Sequence, residues 1–239
     1  MQRSDHGHSR AEIAARVGNP AGKGVLRDAI YGAIDGTVTT FAIVAGVAGA
    51  GFSPIVIVVL GLANVLADGY SMAAANYSGS KADQDNARRI REIEERHIKK
   101  YPEGEKLEVR EILGRMGLHG PVLDQATEMI ASNKEAWIAL MMEGEYGLGG
   151  VEPRPIRAAM TTFFAFLLAG IVPLLPFLFG LEDAFLLSVI TTMATFFGIG
   201  ALKSIWSVEA WWRSAAETML IGGTAAALAY VVGNLLSGH

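Results

Sequence analysis

Five long apolar segments constrain this chain more than any other feature of its sequence. They lie near residues 29–50, 54–78, 158–180, 184–203 and 213–236. A helix needs about 20 residues to cross the hydrocarbon core of a bilayer, and each segment is long enough. Hydrophobic residues make up 51% of the 239 residues, too large a share for an ordinary soluble domain. The sequence therefore predicts an all-α polytopic membrane protein with five transmembrane helices.

A hydrophilic insert separates the second apolar segment from the third. It starts as a charged continuation of the second helix, which Pro102 and Gly104 are expected to end. Two more helices are predicted, one in LEVREILGRMG and one over 121–146, so the insert is expected to be a three-helix module. The predicted parts are a mobile cytoplasmic N-terminus, two transmembrane helices, the cytoplasmic module and three further transmembrane helices, at 1–27, 28–78, 79–157 and 158–239.

The distribution of Lys and Arg predicts the orientation in the membrane. Of the 20 basic residues, five precede Asp28, thirteen lie in the insert, and two lie between the fourth and fifth segments. Basic loops stay on the cytoplasmic side, so the N-terminus and the insert are expected to be cytoplasmic. Residues 1–27 are polar and basic, so no cleaved signal peptide is expected. The predicted location is the plasma membrane of a prokaryote or the vacuolar membrane of a eukaryote.

Polar residues interrupt the first two apolar segments at helical spacing. The second segment carries four of them at intervals of four residues: Asn64, Asp68, Met72 and Asn76. The first segment carries Asp35 and Thr39 with the same spacing. Residues four apart lie on one side of a helix. Polar side chains within a bilayer are costly and usually face a bundle interior or a water-filled path. These six residues are therefore predicted to line a transport path.

The residue types in this path indicate a divalent cation as its cargo. A buried carboxyl group favours a proton when it is empty and gives it up to a bound cation, which is the minimal chemistry of proton-coupled exchange. The Met72 thioether is a poor ligand for Mg²⁺ or Ca²⁺ but accepts a softer transition metal ion. A structural alternative is that the helix dipole and neighbouring Thr hydroxyls stabilise Asp35.

The insert carries a second set of metal-ligating side chains. Three pairs at i, i+3 each lie on one side of a helix: Glu94 with His97, Glu105 with Glu108, and Met142 with Glu145. Packing of the helices could bring these pairs together. Glutamates interleaved with Lys and Arg are also typical of a solvated helix face, and Met141 and Met142 of core packing. Spacing leaves nearby glutamates open as alternatives: Glu92, Glu95, Glu103, Glu111 and Glu143.

The chain resembles the vacuolar iron transporter family across nearly its whole length. RDAIYGAIDGTVTTFAIVAGVAGAG is similar to the first span of the family, and GLANVLADGYSMAAANY to the second. YPEGE and EYGL, within the insert, resemble parts of the family's cytoplasmic metal-binding module. GALKSIWSVEAWWRSAAETMLIGGTAAALAYVVG is similar to the last two spans.

The resemblance implies a homodimeric carrier that exports Fe²⁺, and often Mn²⁺, from the cytosol in exchange for protons. It implies that Asp35 and Met72 line a path at the dimer interface. The metal-collecting residues it implies are Glu94, Glu105, Glu108, Met141 and Glu145, with His97 and Met142 at positions where other members can carry glutamate. The family often has glutamate where Asn64 stands and near Asn76, and a small residue where Asp68 stands. One acid is therefore displaced by a helical turn.

Several functions remain open at the level of the sequence. Besides an antiporter, a non-transporting membrane metal sensor, a passive channel and an intramembrane aspartyl protease are possible. Two aspartates in neighbouring spans suggest the protease, but its GxGD motif is absent. The transported ion is expected to be Fe²⁺, with Mn²⁺, Zn²⁺ and Co²⁺ as alternatives. No permanently bound cofactor and no nucleic-acid partner are expected. Cysteine is absent from the chain, which excludes disulfides and thiolate metal sites.

Overall fold

The computed structural model describes residues 9–17, 23–149, 153–204 and 210–236, and within these ranges it is helical with no strand. The α-helices are α1 (Arg10–Val17), α2 (Lys23–Gly49), α3 (Pro54–Lys100), α4 (Pro102–Arg115), α5 (Gly120–Ala131), α6 (Lys134–Gly144), α7 (Pro155–Gly170), α8 (Leu175–Leu178), α9 (Ala184–Lys203) and α10 (Trp211–Leu236).

The five predicted transmembrane helices are confirmed. In the described part of the chain, five helical segments are long and apolar enough to cross a membrane: Gly24–Gly49, Pro54–Lys100, Pro155–Leu178, Ala184–Lys203 and Trp211–Leu236. The all-α fold class is therefore correct. The second span continues without interruption to Lys100, as its unbroken run of helix-compatible residues predicted.

The chain forms two compact units. The membrane unit comprises Lys23–Gly79 and Pro155–His239, and the insert unit comprises Met1–Gly22 and Ser80–Arg154. Helix α3 contributes its first part to the membrane unit and its second part to the insert unit. Residues 23–27 of the predicted N-terminal part belong to α2. Of the predicted mobile N-terminus, 1–27, residues 1–8 and 18–22 lie outside the described residues, and α1 lies between them.

In the membrane unit, α2 packs against α7, α9 and α10. Glycines allow the closest of these contacts. A Cβ atom at Gly32 would lie 2.4 Å from the carbonyl oxygen of Thr162, and one at Gly36 would lie 2.5 Å from that of Phe166. Small residues let helix backbones approach closely in a membrane, so α2 and α7 meet backbone to backbone.

An apolar cluster fills the interior of the membrane unit. Its buried members come from α2, α3, α10 and the segment after α7: Phe41, Val44, Ile57, Val65, Leu174 and Ala226. The third span is interrupted after α7. A 3₁₀ turn at Val172–Leu174 separates α7 from α8, because Pro173 has no N–H to continue an α-helix.

The insert unit has its own hydrophobic core, formed by Val109, Leu113, Leu123, Trp137 and Met141. Two short helices replace the single helix predicted over 121–146. The break falls at Ser132 and Asn133, where the Asn133 side chain accepts a hydrogen bond of 3.2 Å from the Ala136 N–H and so caps α6. The part of the insert unit between Ser80 and Arg154 therefore contains the end of α3, α4, α5 and α6, which is four helical segments where three were predicted. Helix α4 also begins at Pro102, five residues earlier than predicted.

Candidate functional site

Two buried glutamates mark the candidate metal-collecting site of the insert unit. Glu94 on α3 is 1% exposed and Glu105 on α4 is 5% exposed. One carboxylate oxygen of each, Oε2, is buried without a hydrogen-bond partner. An ionised carboxylate is rarely left so, because burial removes its hydration. A proton shared between the two carboxyl groups, or a bound cation, would compensate these buried oxygens.

The other predicted ligands lie around this pair. His97 Nδ1 lies 3.4 Å from Glu105 Oε1. Glu108 and Glu145 lie close enough to Glu105 for their charges to interact with it. Met142 is half-buried next to the end of α6. The fold thus brings five of the six residues of the predicted pairs into one neighbourhood: Glu94, His97, Glu105, Glu108 and Glu145. The role of Met142 stays a prediction.

The crowded carboxylates change the acidity of the site. Burial, followed by the negative charges of Glu108, Glu94 and Glu145, raises the pKa of Glu105 to about 7. Burial likewise raises the pKa of Glu145 above its ordinary value. When Glu105 is protonated it can donate a hydrogen bond to Glu94, and when both are ionised neither can. The site therefore holds a proton near neutral pH that a cation would displace.

Met141 occupies a different environment from the other predicted ligands. Its side chain is fully buried in the hydrophobic core of the insert unit. That placement matches the packing role that spacing left open for it. Its role as a ligand stays a prediction.

Three of the alternative glutamates form ion pairs with Lys or Arg, which distinguishes them from the buried Glu94 and Glu105. Glu95 pairs with Lys134 at 2.9 Å, Glu111 with Arg115 at 2.9 Å, and Glu103 with Lys106 at 3.8 Å. These three carboxylates are neutralised at the surface, as expected for a solvated helix face. Glu94 and Glu105 have no Lys or Arg partner among the described ion pairs; the histidine His97 is the basic group next to Glu105.

A cavity of about 500 Å³ adjoins the cluster and is lined by Glu108, Glu111, Ile112, Arg115, Met116, Gly144 and Glu145. Two of the predicted ligands, Glu108 and Glu145, thus border an open space. In the ranges that the structure describes, no three His, Asp or Glu side chains are placed to hold a metal ion as they stand. The cluster is therefore open, and its carboxylates would have to draw together around a cation.

The second group of predicted residues lies in the membrane unit. Asp35 on α2 is half-buried and close enough to Asp68 on α3 for their charges to interact. Thr39 donates a hydrogen bond of 2.9 Å to the carbonyl oxygen of Asp35, and Asn64 Nδ2 donates one of 3.3 Å to Thr39 Oγ1. The path residues of α2 and α3 therefore face each other. Met72 is half-buried one helical turn beyond Asp68.

Asn76 belongs to a separate polar link at the end of the second span. Its Nδ2 donates a hydrogen bond of 2.7 Å to Thr162 Oγ1 on α7. Thr162 Oγ1 in turn donates a long hydrogen bond of 3.5 Å to the carbonyl oxygen of Asp28 on α2. Asn76 is thus placed with α7, whereas Asn64 is placed with the residues around Asp35.

Two polar residues of these clusters were not predicted from the sequence. Tyr146 donates a hydrogen bond of 3.0 Å to Glu94 Oε1, and Thr162 lies between Asn76 and Asp28. Burial and the bond to Glu94 raise the pKa of Tyr146 above its ordinary value, so its phenol remains a donor. Its position beside Glu145 was a signal for Tyr146. Thr162 had none, because its partners are distant in sequence.

The fold and these polar groups define a polytopic helical membrane protein with acids inside its spans and a hydrophilic insert unit that carries buried glutamates. Comparison with known proteins gives the family. A model of the VIT family matches residues 26–234. The chain is 33% identical over 215 residues to vacuolar iron transporter 1 of Arabidopsis thaliana, covering 89% of this chain and 86% of that protein. It is 35% identical over 213 residues to vacuolar iron transporter 2 of Oryza sativa subsp. japonica, covering 86% and 85%.

A more distant organism provides a similar match. The chain is 33% identical over 223 residues to the vacuolar iron transporter of Toxoplasma gondii, covering 88% of this chain and 74% of that protein. The chain belongs to the VIT family and is an integral membrane protein. Members of this family are transporters and not enzymes, which argues against an intramembrane protease.

Proposed function

We propose that this chain is an antiporter that exports a divalent transition metal ion from the cytosol in exchange for protons. Fe²⁺ is the proposed substrate, because the curated relatives are named iron transporters, and Mn²⁺ is a second substrate. The observation that supports the mechanism most directly is the proximity of Asp35 and Asp68 on two neighbouring apolar spans. Two carboxylates in one low-dielectric region are costly unless a proton or a cation compensates them.

Metal transport is coupled to proton transport because a proton and a divalent cation compete for the Asp35 and Asp68 carboxylates. An empty pair favours retention of a proton, because two ionised carboxylates repel and lack hydration. A divalent cation replaces the proton and is released where protons are plentiful. Met72 adds a thioether, which favours a transition metal ion over Ca²⁺ or Mg²⁺. Thr39 and Asn64 supply neutral oxygens near Asp35, and Asn76 completes the proposed path near the end of the second span.

The insert unit is proposed to collect the metal ion from the cytosol. Glu94 and Glu105 each offer a buried carboxylate oxygen that has no partner. His97, Glu108 and Glu145 lie near them, and Met142 precedes Glu145 by three residues, so the proposed set combines carboxylates with an imidazole and a thioether. That mixture suits Fe²⁺ and Mn²⁺ and leaves Zn²⁺ and Co²⁺ as competitors.

A homodimer is proposed from the exposure of Asp68. This side chain is exposed on the surface of the single chain, although it lies within an apolar span. A carboxylate facing lipid costs several kcal/mol, so a second copy or a water-filled path has to cover it. A water-filled path between two copies would shield the Asp68 carboxylate from lipid and keep it accessible to a cation. By the names of the relatives, the proposed location is a vacuolar membrane, or the plasma membrane in a prokaryote.

Transport in liposomes tests the proposal. The purified protein is expected to move Fe²⁺ or Mn²⁺ when a pH gradient is imposed, with a matching proton flux reported by a trapped pH-sensitive dye. Asp35→Ala is expected to abolish both fluxes. Glu182→Gln, in an exposed loop between α8 and α9, is the control and should transport normally.

The same experiment separates the other candidate functions. Metal binding without flux would favour a sensor, and metal flux that ignores the pH gradient would favour a passive channel. Unchanged coupled transport by Asp35→Ala would contradict the proposed mechanism.

A further inference from the structure

The hydrogen bond between Tyr146 and Glu94 joins two distant parts of the insert unit. Tyr146 follows the end of α6, and its hydroxyl donates to Glu94 Oε1 on α3 at 3.0 Å. Glu94 is 1% exposed, so this bond is shielded from water. A hydrogen bond to a charged acceptor in such a place is strong and directional.

The local sequence fixes where Tyr146 lies. Gly147 has a positive φ of 65°, a conformation that glycine adopts without strain. Its N–H donates to the Glu143 carbonyl oxygen at 3.2 Å, and the Leu148 N–H donates to that of Met142 at 2.8 Å. These two backbone bonds close the end of α6. Tyr146 is therefore held at a defined helix terminus.

The bond divides the two oxygens of Glu94 between different roles. Oε1 accepts from Tyr146, and Oε2 is buried without a partner. A carboxylate held by one oxygen cannot turn freely, and it offers the other oxygen to a cation. Without the phenol, both oxygens would be free to bind the same ion.

We propose that Tyr146 is a positioning residue that makes Glu94 a ligand through one oxygen and thereby disfavours Ca²⁺. The inference rests on the proposed role of the insert in collecting metal. Ca²⁺ takes six to eight oxygens and commonly uses both oxygens of a carboxylate, whereas transition metal ions accept fewer ligands. Loss of the phenol hydroxyl restores the second oxygen and favours the larger ion.

Competition between Mn²⁺ and Ca²⁺ on the full-length protein in detergent tests this role. Mn²⁺ serves as the probe because its paramagnetic resonance signal reports the bound fraction. Tyr146→Phe is expected to weaken Mn²⁺ binding and to lower the ratio of the Ca²⁺ to the Mn²⁺ dissociation constant by about tenfold, the size expected for a hydrogen bond to a charged group. Tyr101→Phe is the matched control. Tyr101 is exposed and its ring lies 5.1 Å from Lys100 Nζ, a contact that Phe retains.

A double-mutant cycle shows whether Tyr146 acts through Glu94. Glu94→Gln is expected to weaken Mn²⁺ binding by itself, and Tyr146→Phe should add little in that background. Independent and additive effects would overturn the proposal.

Infrared spectroscopy shows directly whether Glu94 binds a metal ion through one oxygen or two. Infrared difference spectra of wild type with and without Mn²⁺ are expected to show the wide splitting between the two carboxylate stretches that marks binding through one oxygen. Tyr146→Phe should replace one such band with a narrower splitting. If Tyr146→Phe fails to fold, spectra of wild type and Glu94→Gln still decide, because the wide splitting must be lost on substitution of Glu94.

The outcomes also distinguish this inference from the proposed function. Selective Mn²⁺ binding by wild type, Tyr101→Phe and Tyr146→Phe alike would overturn the role of Tyr146 and leave metal collection intact. Absence of Mn²⁺ binding by wild type would overturn metal collection itself, and the role of Tyr146 with it.

Discussion

At the scale of single residues, the insert unit separates two classes of glutamate that share one helix. Glu94 is buried with a free carboxylate oxygen, whereas the adjacent Glu95 pairs with Lys134 and Arg91. Surface ion pairs contribute little to stability, about 0–1 kcal/mol each. The two neighbours therefore have distinct expected roles, one in binding a cation and one in packing α3 beside α6.

This contrast gives a matched pair of substitutions. Glu94→Gln is expected to weaken Mn²⁺ binding to the full-length protein by at least about tenfold, because a charged ligand is lost from a desolvated site. Glu95→Gln should leave binding within about twofold of wild type, since it removes only an exposed ion pair. Isothermal titration with Mn²⁺ measures both. Equal effects of the two substitutions would contradict the assignment of Glu94.

The pH dependence of metal binding follows from Glu105. Its pKa is raised to about 7, so in the metal-free protein the carboxyl group is protonated below that pH. A metal ion must displace this proton, and affinity for Mn²⁺ is expected to fall by about tenfold between pH 8 and pH 6. Glu105→Gln should bind more weakly at pH 8 and show a flatter dependence. Glu128→Gln is the control, because Glu128 is an exposed ion-pair partner of Lys106, and this variant should keep the pH dependence of wild type.

The raised pKa of Glu105 also makes the stability of the metal-free fold depend on pH. Stability is expected to fall as the pH rises, whereas affinity for the metal ion is expected to increase. A carboxyl group whose pKa is higher in the folded state than in the unfolded state stabilises the fold only while it is protonated. The metal-free insert is therefore expected to lose stability as the pH rises from about 4.5 through 7. Glu105→Gln should reduce that loss in thermal unfolding monitored by circular dichroism. An identical loss in the variant would contradict the raised pKa.

At the scale of helices, contact between α2 and α7 depends on glycine. Gly36→Ala would place a methyl group 2.5 Å from the Phe166 carbonyl oxygen, so the backbones must separate. The expected cost is about 1–3 kcal/mol, measured as a lower thermal unfolding temperature in detergent. Gly46→Ala is the control in the same helix, because its methyl would lie at an ordinary 3.5 Å from the nearest atom. Equal unfolding temperatures for the two variants would show that α2 and α7 are not closely packed.

Helix ends illustrate which local signals suffice. Pro102 lies in the first turn of α4, and Asn133 caps the N-terminus of α6. Both residue types favour a helix start, yet the predicted boundaries placed no helix start at either position. The interruption after α7 also has a local cause, because Pro173 cannot donate a backbone hydrogen bond whatever surrounds it.

At the scale of the whole molecule, the predicted orientation can be tested with introduced cysteines, since the chain has none of its own. Ser132→Cys lies in the insert unit and Glu182→Cys in the loop before α9, and both positions are exposed. In sealed vesicles with the cytoplasmic side outward, an impermeant maleimide is expected to label Ser132→Cys only. Labelling of Glu182→Cys alone would reverse the orientation.

The proposed dimer has a corresponding test near Asp68. Ser71, one turn along α3, is exposed on the single chain. Mild oxidation of Ser71→Cys in the membrane is expected to give a disulfide-linked dimer. Leu228→Cys, on an exposed face of α10, should stay monomeric on denaturing gels. Absence of the linked species from Ser71→Cys, or equal linkage at both sites, would count against a dimer interface along α3.

The sequence by itself determined the five spans and the all-α class. These features depend on apolar length and helix-breaking residues, which are properties of contiguous segments. The site residues were predicted as sets, since helical spacing shows which side chains share a face of one helix.

Only the tertiary structure decided which members of those sets meet. It buried Glu94 and left Glu95 at the surface, placed Met141 in the hydrophobic core, and set Asp68 beside Asp35. It also brought Tyr146 to Glu94 across 52 residues. Burial and hydrogen bonding between helices depend on how several amphipathic faces pack at once, and no single helix carries that information.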